Sequence, residues 1–272
     1  METNTVDQDL FTGEYPVPDE KVEFFQENGY VAFRDVLNDR EVEALRRGVG
    51  KAQAEREGAS RDLAGDDEEA ERILQMINLW EQYPEVRAYI QGGRVARMAQ
   101  RLTGSSSVRL YHDQALVKEP GPSAPSPWHQ DQPYWPSAEP GMLSCWMALD
   151  DVTVERGCMQ FIPGSHKWGE FPPISFEGEG AALKEHVSEE RKAQWNPQPV
   201  ELEAGSCTFH HGLTFHYANA NTTDHVRRAL VAIFIPEGIT YGPDEDMDNP
   251  FEDSITSEVG EPLRGTRFPQ LA

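Results

Sequence analysis

The sequence predicts a mainly β fold, a sandwich or small barrel with helices packed outside it. Three observations carry that expectation. The N-terminal third places apolar residues at helical spacing, the period changes to two after Gly104, and Pro- and Gly-rich punctuation (EPGPSAPSP, PGM, IPGSH, IPEG) cuts the later chain into short strands. With 272 residues, 38% of them apolar, the chain is long enough to bury a sizeable core as one large domain or two small ones.

The elements follow in order. Asp19 can cap a helix that carries Val22, Phe24 and Phe25 and stops at the helix-ending pair Asn28-Gly29. A strand-like stretch, Tyr30 to Phe33, comes next, and Asn38 then caps a second helix with Val42, Leu45 and Val49 on one face. The charged run Arg56 to Glu71, with Gly58 and Gly65, reads as a loop. A third helical pattern spans Val86 to Leu102 and closes at Gly104. Val108 to Tyr111, Ser144 to Leu149 and Ala229 to Ile235 read as strands. The last thirty residues are acidic with little periodicity and are expected either to wrap the surface or to lack fixed structure.

Charge excludes several partners. Lys plus Arg number 24 and Asp plus Glu 47, so the formal net charge is −23. Such a surface repels a phosphate backbone and an anionic bilayer, so neither nucleic acid nor membrane is an expected partner. No apolar run is long enough to span a bilayer, and the first residues lack a basic and an apolar signal region. Cys145, Cys158 and Cys207 are odd in number with no C-x-x-C, which predicts free thiols in a reducing cytoplasm rather than a disulfide framework or a thiolate zinc site. Oligomeric state is not readable.

The chemistry concentrates in two segments. In WHQDQPYW, His129 and Asp131 are two apart, so on an extended chain both side chains leave one face and offer two ligands to a divalent metal. Alone the pair is weak, since roughly half of chains with this composition carry one by chance. The second segment, Ala204 to Ile235, offers His210, His211 and His216 as third ligands and then Arg227 and Arg228 at the mouth of an apolar strand. An Arg there is costly unless it finds an anion. Two His and one carboxylate on an iron(II) ion leave positions for a 2-oxo acid and dioxygen, and a guanidinium fork suits the far carboxylate of a 2-oxo diacid.

WHQDQPYW, ERGCMQFIPGSHKWG (Glu155 to Gly169) and HYANANTTDHVRR together resemble the phytanoyl-CoA dioxygenase family of iron(II)- and 2-oxoglutarate-dependent oxygenases, and FFQENGYVAFRDVL extends the resemblance over most of the chain. The resemblance implies a double-stranded β-helix (jelly-roll, cupin-like) core with N-terminal helices outside it, in one domain over 1–272. The helical part would cover about 17–104, the core about 105–240 and the acidic tail 241–272. In that family the distal His is followed by Asn after five residues and Arg after eleven, a spacing that His216, Asn221 and Arg227 fit and that His210 and His211 do not.

The resemblance thus implies His129, Asp131 and His216 as iron ligands, Arg227 as anchor of the 2-oxoglutarate C5 carboxylate, and Trp146 and Gln114 beside that co-substrate. It further implies oxygen-dependent hydroxylation of a C–H bond in a small metabolite or natural product, with succinate and carbon dioxide released. Relatives usually place Ser two residues after the distal His, where this chain has Ala218, so either another group such as Thr208 or a water supplies that hydrogen bond or 2-oxoglutarate binds less tightly. Asp131 fills the position that related halogenases leave open for chloride. Desaturation, epimerisation and ring closure use the same triad.

The remaining features have plain readings. His166 is expected in a turn, His112 in a structural role, His225 in solvent, and the Asp244–Asp248 cluster as solvated acidity. Trp128, Tyr134 and Trp135 are candidates to line a substrate pocket. Against the acyl-CoA of the family's name stands the charge of −23, because a thioester with several phosphates normally needs a basic patch. A metal-dependent barrel enzyme that does not use 2-oxoglutarate, or a non-catalytic sensor of iron and 2-oxoglutarate, are the alternative classes.

Overall fold

The computed structural model describes residues 10–55, 61–62, 73–121, 123–174, 187–243 and 249–272. The polar run expected as a loop at Arg56 to Glu71 lies outside them apart from Arg61 and Asp62, and the Asp244–Asp248 cluster lies outside them altogether.

Helix α1 (Asp19–Asn28) buries Val22 and Phe25, whereas Phe24 is 42% exposed. Pro18 rather than Asp19 occupies its N-cap. Gly29 ends the helix with φ 79° and donates its N–H to Phe25 O at 2.7 Å. The position needs glycine twice over, because a Cβ there would lie 2.4 Å from His166 Nδ1 and 2.5 Å from Thr214 Oγ1. After strand β1 (Tyr30–Phe33), helix α2 (Asp39–Glu55) starts on a reciprocal cap: Glu41 N–H donates to Asn38 Oδ1 (3.1 Å) and Asn38 N–H to Glu41 Oε2 (3.0 Å). Val42, Leu45 and Val49 all lie on its buried face.

The third helical pattern divides. Helices α3 (Pro84–Gln91) and α4 (Arg94–Thr103) replace the single expected helix, because the chain turns at Gly92-Gly93 with Gly93 at φ 72°. Pro84 at the first turn and the paired glycines were the signals for that break.

Two antiparallel sheets form the rest. The major sheet joins β1, β2 (Arg61–Asp62), β3 (Ile73–Ile77), β4 (Val108–Lys118), β6 (Leu143–Ala148), β9 (Cys207–His211) and β11 (Arg227–Pro236) in the order β1-β9-β6-β11-β4-β3-β2. The minor sheet runs β5-β10-β7-β8, from β5 (Ser126–His129), β7 (Met159–Phe161), β8 (Gln198–Val200) and β10 (His216–Ala218). With the helices outside, this is the layout of a double-stranded β-helix.

Alternation along the major strands sorts side chains into two cores. Leu110, Ala115, Val117, Cys145, Met147, Phe209, Leu230 and Phe234 pack with the apolar faces of the four helices. Trp146, Ala148, Ala229, Val231 and Ile233 point the other way and pack with Met159, Phe161 and Ala218 of the minor sheet. The tail from Asn249 onward is ordered against this assembly: Phe251, Leu263 and Phe268 are buried, Gln270 bridges to Arg109, and Tyr111 donates its hydroxyl hydrogen to Asn249 Oδ1 at 3.2 Å.

Candidate active site

The inner face of the major sheet forms a floor with polar side chains in rows. His210, Ser144, Ile233 and His112 are register partners across β9, β6, β11 and β4, and one row further along lie Thr208, Trp146, Val231 and Gln114. The minor sheet faces this floor. There β5 and β10 pair antiparallel with His129 opposite His216, so two imidazoles meet across one ladder; their ring centroids are 4.0 Å apart.

Asp131 completes the group in a way the alternation argument did not anticipate. The strand ends at His129, and Asp131 has helical backbone angles (φ −79°, ψ −33°) at the start of a 3-10 turn. Gly212 O fixes that turn by accepting the N–H groups of both Asp131 (2.9 Å) and Gln132 (3.0 Å). The carboxylate folds back so that Oδ1 lies 3.6 Å from His129 Nε2 and 3.5 Å from His216 Nε2.

One donor atom from each of His129, Asp131 and His216 lies within 4.8 Å of the others. Both imidazoles are set by their second nitrogen: His129 Nδ1–H donates to Pro127 O (2.7 Å) and His216 Nδ1–H to Thr214 O (3.0 Å), leaving the Nε2 lone pairs directed at the common point. Burial and the neighbouring His129 hold the His216 pKa well below its usual value, which keeps it neutral. Desolvation would raise the Asp131 pKa, but the surrounding imidazoles of His216, His129 and His210 outweigh it and hold the carboxyl well below the usual range. Two imidazoles and one carboxylate are the donor set that suits non-haem iron(II) with positions left open, so these residues fit that ion.

Arg227 lies on the same floor. It is 2% exposed, its Nη1–H donates to Leu116 O at 3.2 Å, and its guanidinium carbon sits 5.4 Å from the Trp146 ring centroid. Its Nε–H is buried without a partner, and no ion pair joins it to a carboxylate among the described residues. Burial pushes its pKa down to about 10. A buried guanidinium with an unmet N–H suits an anionic group. Asn221 anchors the loop that leads to it: the fully buried amide donates to Lys118 O, Glu119 O and His225 O.

The other expected residues sort as follows. Trp146 is 2% exposed, beside the guanidinium, and Gln114 Oε1 accepts a short hydrogen bond from Gln75 Nε2 across β3 and β4. Ala218 is buried, and the carbonyls of Ala218 (3.4 Å) and Asn219 (2.5 Å) accept from Lys118 Nζ, a fully buried ammonium opposite Arg227 in the ladder. Thr208 Oγ1 is buried with no partner. His211 stands apart from the triad, with Nδ1 accepting Leu213 N–H at 3.0 Å. His166 sits in the turn after β7 and His225 pairs with Asp224 in solvent.

His112 faces the floor, its ring 4.8 Å from that of Phe251. Trp128 turns away from the site to stack on Tyr217, Tyr134 is tied to Ile174 backbone, and Trp135 is buried. Sequence reasoning missed Ser144 as a partner of Asp131 and weighed His210 only as a ligand; their signal was register with each other, which spacing along one chain does not reveal.

The family model for phytanoyl-CoA dioxygenase (PhyH) matches residues 25–229. Human peroxisomal phytanoyl-CoA dioxygenase is 23% identical over 257 residues, covering 88% of this chain and 74% of that protein. Dioxygenase lolE1 of Epichloe uncinata is 31% identical over 160 residues, 57% of each chain. Among solved structures, the non-heme alpha ketoglutarate dependent carbocyclase SnoK from nogalamycin biosynthesis superposes with a TM-score of 0.80 at 29% identity, over 96% of this chain and 100% of that one. The epimerase SnoN, in complex with Fe3+, alpha ketoglutarate and nogalamycin RO, gives a TM-score of 0.76 at 29% identity, over 93% and 98%.

Proposed function

The chain belongs to the phytanoyl-CoA dioxygenase (PhyH) family of iron(II)- and 2-oxoglutarate-dependent oxygenases, and from that premise we propose that it oxidises a C–H bond of a small natural product, with hydroxylation as the outcome. One observation carries the reading: His129, Asp131 and His216 converge from two elements of the minor sheet and its adjoining turn, over a floor that holds the buried guanidinium of Arg227 with its Nε–H unmet. In this proposal His129, Asp131 and His216 hold iron(II), which with 2-oxoglutarate and dioxygen supplies C–H oxidation coupled to release of succinate and carbon dioxide.

The chain's own part is positional. Pro127 and Thr214 carbonyls orient the two imidazoles. Arg227 would pair with the C5 carboxylate of 2-oxoglutarate, and the Trp146 ring and Gln114 amide on the same floor would help keep that co-substrate's surroundings dry. Lys118 holds the carbonyls of Ala218 and Asn219, at the position where a relative's serine would take part in the anion site.

For the substrate, the net charge of −23 favours a neutral or cationic compound over an acyl-CoA, and the likeness to two nogalamycin-pathway enzymes supports a natural-product scaffold. That same likeness favours a second outcome, ring closure or epimerisation. Buried free Cys145, Cys158 and Cys207 support a reducing, cytoplasmic setting, and among the described residues no helix is long and apolar enough to cross a membrane.

The test is succinate formation by the purified chain with iron(II), 2-oxoglutarate and a panel of polyketide and alkaloid scaffolds. Succinate that requires both iron and 2-oxoglutarate and is lost in Asp131→Ala supports the reading; succinate undiminished in Asp131→Ala contradicts it. Product mass then separates outcomes, since hydroxylation adds an oxygen atom, ring closure removes two hydrogens and epimerisation changes nothing.

A further inference from the structure

We infer, on the iron-binding reading proposed above, that His210 is a positioning residue that acts with Ser144 to restrict Asp131 to a single coordinating oxygen. The two oxygens of Asp131 have different surroundings. Oδ1 faces the Nε2 atoms of His129 and His216. Oδ2 faces away and accepts two hydrogen bonds, from Ser144 Oγ at 2.8 Å and His210 Nε2 at 3.1 Å. With both donors in place, rotating the carboxylate to bring Oδ2 toward a metal would break two hydrogen bonds at once, in surroundings where an unmade bond is expensive. A carboxylate held monodentate leaves one more metal position open than a chelating one, which is the position a co-substrate or dioxygen needs.

The support is rigid. Ser144 and His210 are register partners on β6 and β9, interior strands of the major sheet, and Tyr30 of β1 pairs with His210 from the other side. Because a carboxylate oxygen only accepts, His210 must carry its proton on Nε2. That nitrogen is therefore occupied as a donor, which separates His210 from the triad even though its ring centroid lies only 4.4 Å from that of His216.

The other nitrogen identifies what His210 is for. Nδ1 is buried and makes no hydrogen bond among the described residues, and the ring packs 5.5 Å from the Phe161 centroid. An imidazole with one unmet polar atom among apolar neighbours is a poor choice for stability; an aromatic hydrocarbon would pack there without that penalty. The residue serves the carboxylate at a cost to the fold.

That separation of roles makes the inference testable without turnover. The full-length protein, wild type and His210→Phe, His210→Gln, Ser144→Ala and Asp131→Ala, is titrated with Co(II) by calorimetry while its d–d absorption bands are recorded, and the metal-free forms are melted. His210→Phe is expected to melt at or above the wild-type temperature, to bind Co(II) about 10–100-fold more weakly, and to show shifted bands as the carboxylate changes its coordination. His210→Gln, whose amide N–H can donate at similar reach, should recover most of the affinity and the wild-type bands. Ser144→Ala, which removes the second donor with little change in volume, should shift affinity in the same direction as His210→Phe. Wild-type Co(II) affinity and spectrum in both His210→Phe and Ser144→Ala overturn the positioning role while leaving the metal site intact. Wild-type affinity in Asp131→Ala would instead overturn the metal reading beneath it.

Discussion

Arg227 and Arg228 are neighbours on β11 and point to opposite faces of the major sheet. Arg228, on the helix side, is matched within the fold: its backbone N–H and Nε–H donate to Asp150 Oδ2 at 2.9 and 3.0 Å, its Nη2–H donates to Asp150 Oδ1 at 2.7 Å, and Arg46 approaches the same carboxylate at 3.3 Å. Arg227, on the inner side, has one carbonyl partner and a buried Nε–H with none. Thr208 Oγ1 and His210 Nδ1 on that floor are unmatched as well. Within this pair of arginines, the one that serves stability is satisfied internally, whereas the inner one keeps an unmet donor that suits an anionic group.

The sharpest way to break the comparison is at the triad. Asp131→Ala should abolish iron binding and succinate formation while the metal-free protein keeps its melting temperature, as metal analysis and calorimetry would show. Next in size, Arg227→Met should weaken 2-oxoglutarate binding by about 100-fold, the loss of charge-assisted bonds to a carboxylate. Its stability in urea should be unchanged or higher, because a buried unmatched cation is removed.

The opposite face should respond the other way. Asp150→Asn leaves Arg228 half-matched and should cost about 3 kcal/mol of unfolding free energy in urea titrations. Its affinity for 2-oxoglutarate should remain within about twofold of wild type. The pH dependence has a definite sign here. Despite burial, the hydrogen bonds and charge of Arg228, then the charge of Arg46, hold Asp150 below 3.8, so its stabilisation is present above that value and lost as pH falls through the lower folded one. Asp150→Asn should therefore flatten the acid limb of the stability curve.

The effect least felt at the inner face concerns Asp113, fully buried on the helix side, where its carboxyl group accepts the N–H groups of Leu79 (3.0 Å) and Trp80 (3.2 Å). Burial raises its pKa from 3.8 to about 7, so the folded protein holds a proton there that the unfolded chain releases. Stability from this group is full below pH 3.8 and declines as pH rises toward 7. The difference in stability between Asp113→Asn and wild type should accordingly move in favour of the variant over that interval.

What could be read from the chain alone follows the same division. Elements whose identity rests on local chemistry were legible: α1 with its Gly29 stop, β1 at Tyr30–Phe33, and α2 with the Asn38 cap. The third helix was read as unbroken because apolar residues continue on both sides of Gly92-Gly93, although one continuous helix would set Val86 and Val95 on opposite faces. Strands β7, β8 and β10 have three residues each, too few to show a period, and β3 follows a charged run that hides its start. At the site, His129, Asp131 and His216 were legible through spacing and family likeness, and the structure brings them together. Asp131 arrives through a turn rather than an extended strand, since Gly212 O, distant in sequence, is what bends the chain there. Ser144 and His210 depend on strand register, a tertiary property with no local signature.

The most direct test of the central claim is an anaerobic titration of the ferrous protein with 2-oxoglutarate and with 2-oxopentanoate, the same chain without its far carboxylate, in wild type and Arg227→Met. The wild type should prefer the diacid by about 100-fold, and that preference should collapse in the variant. Equal wild-type affinity for the two acids, or a preference that survives Arg227→Met, would contradict the role of Arg227 as anchor of the far carboxylate.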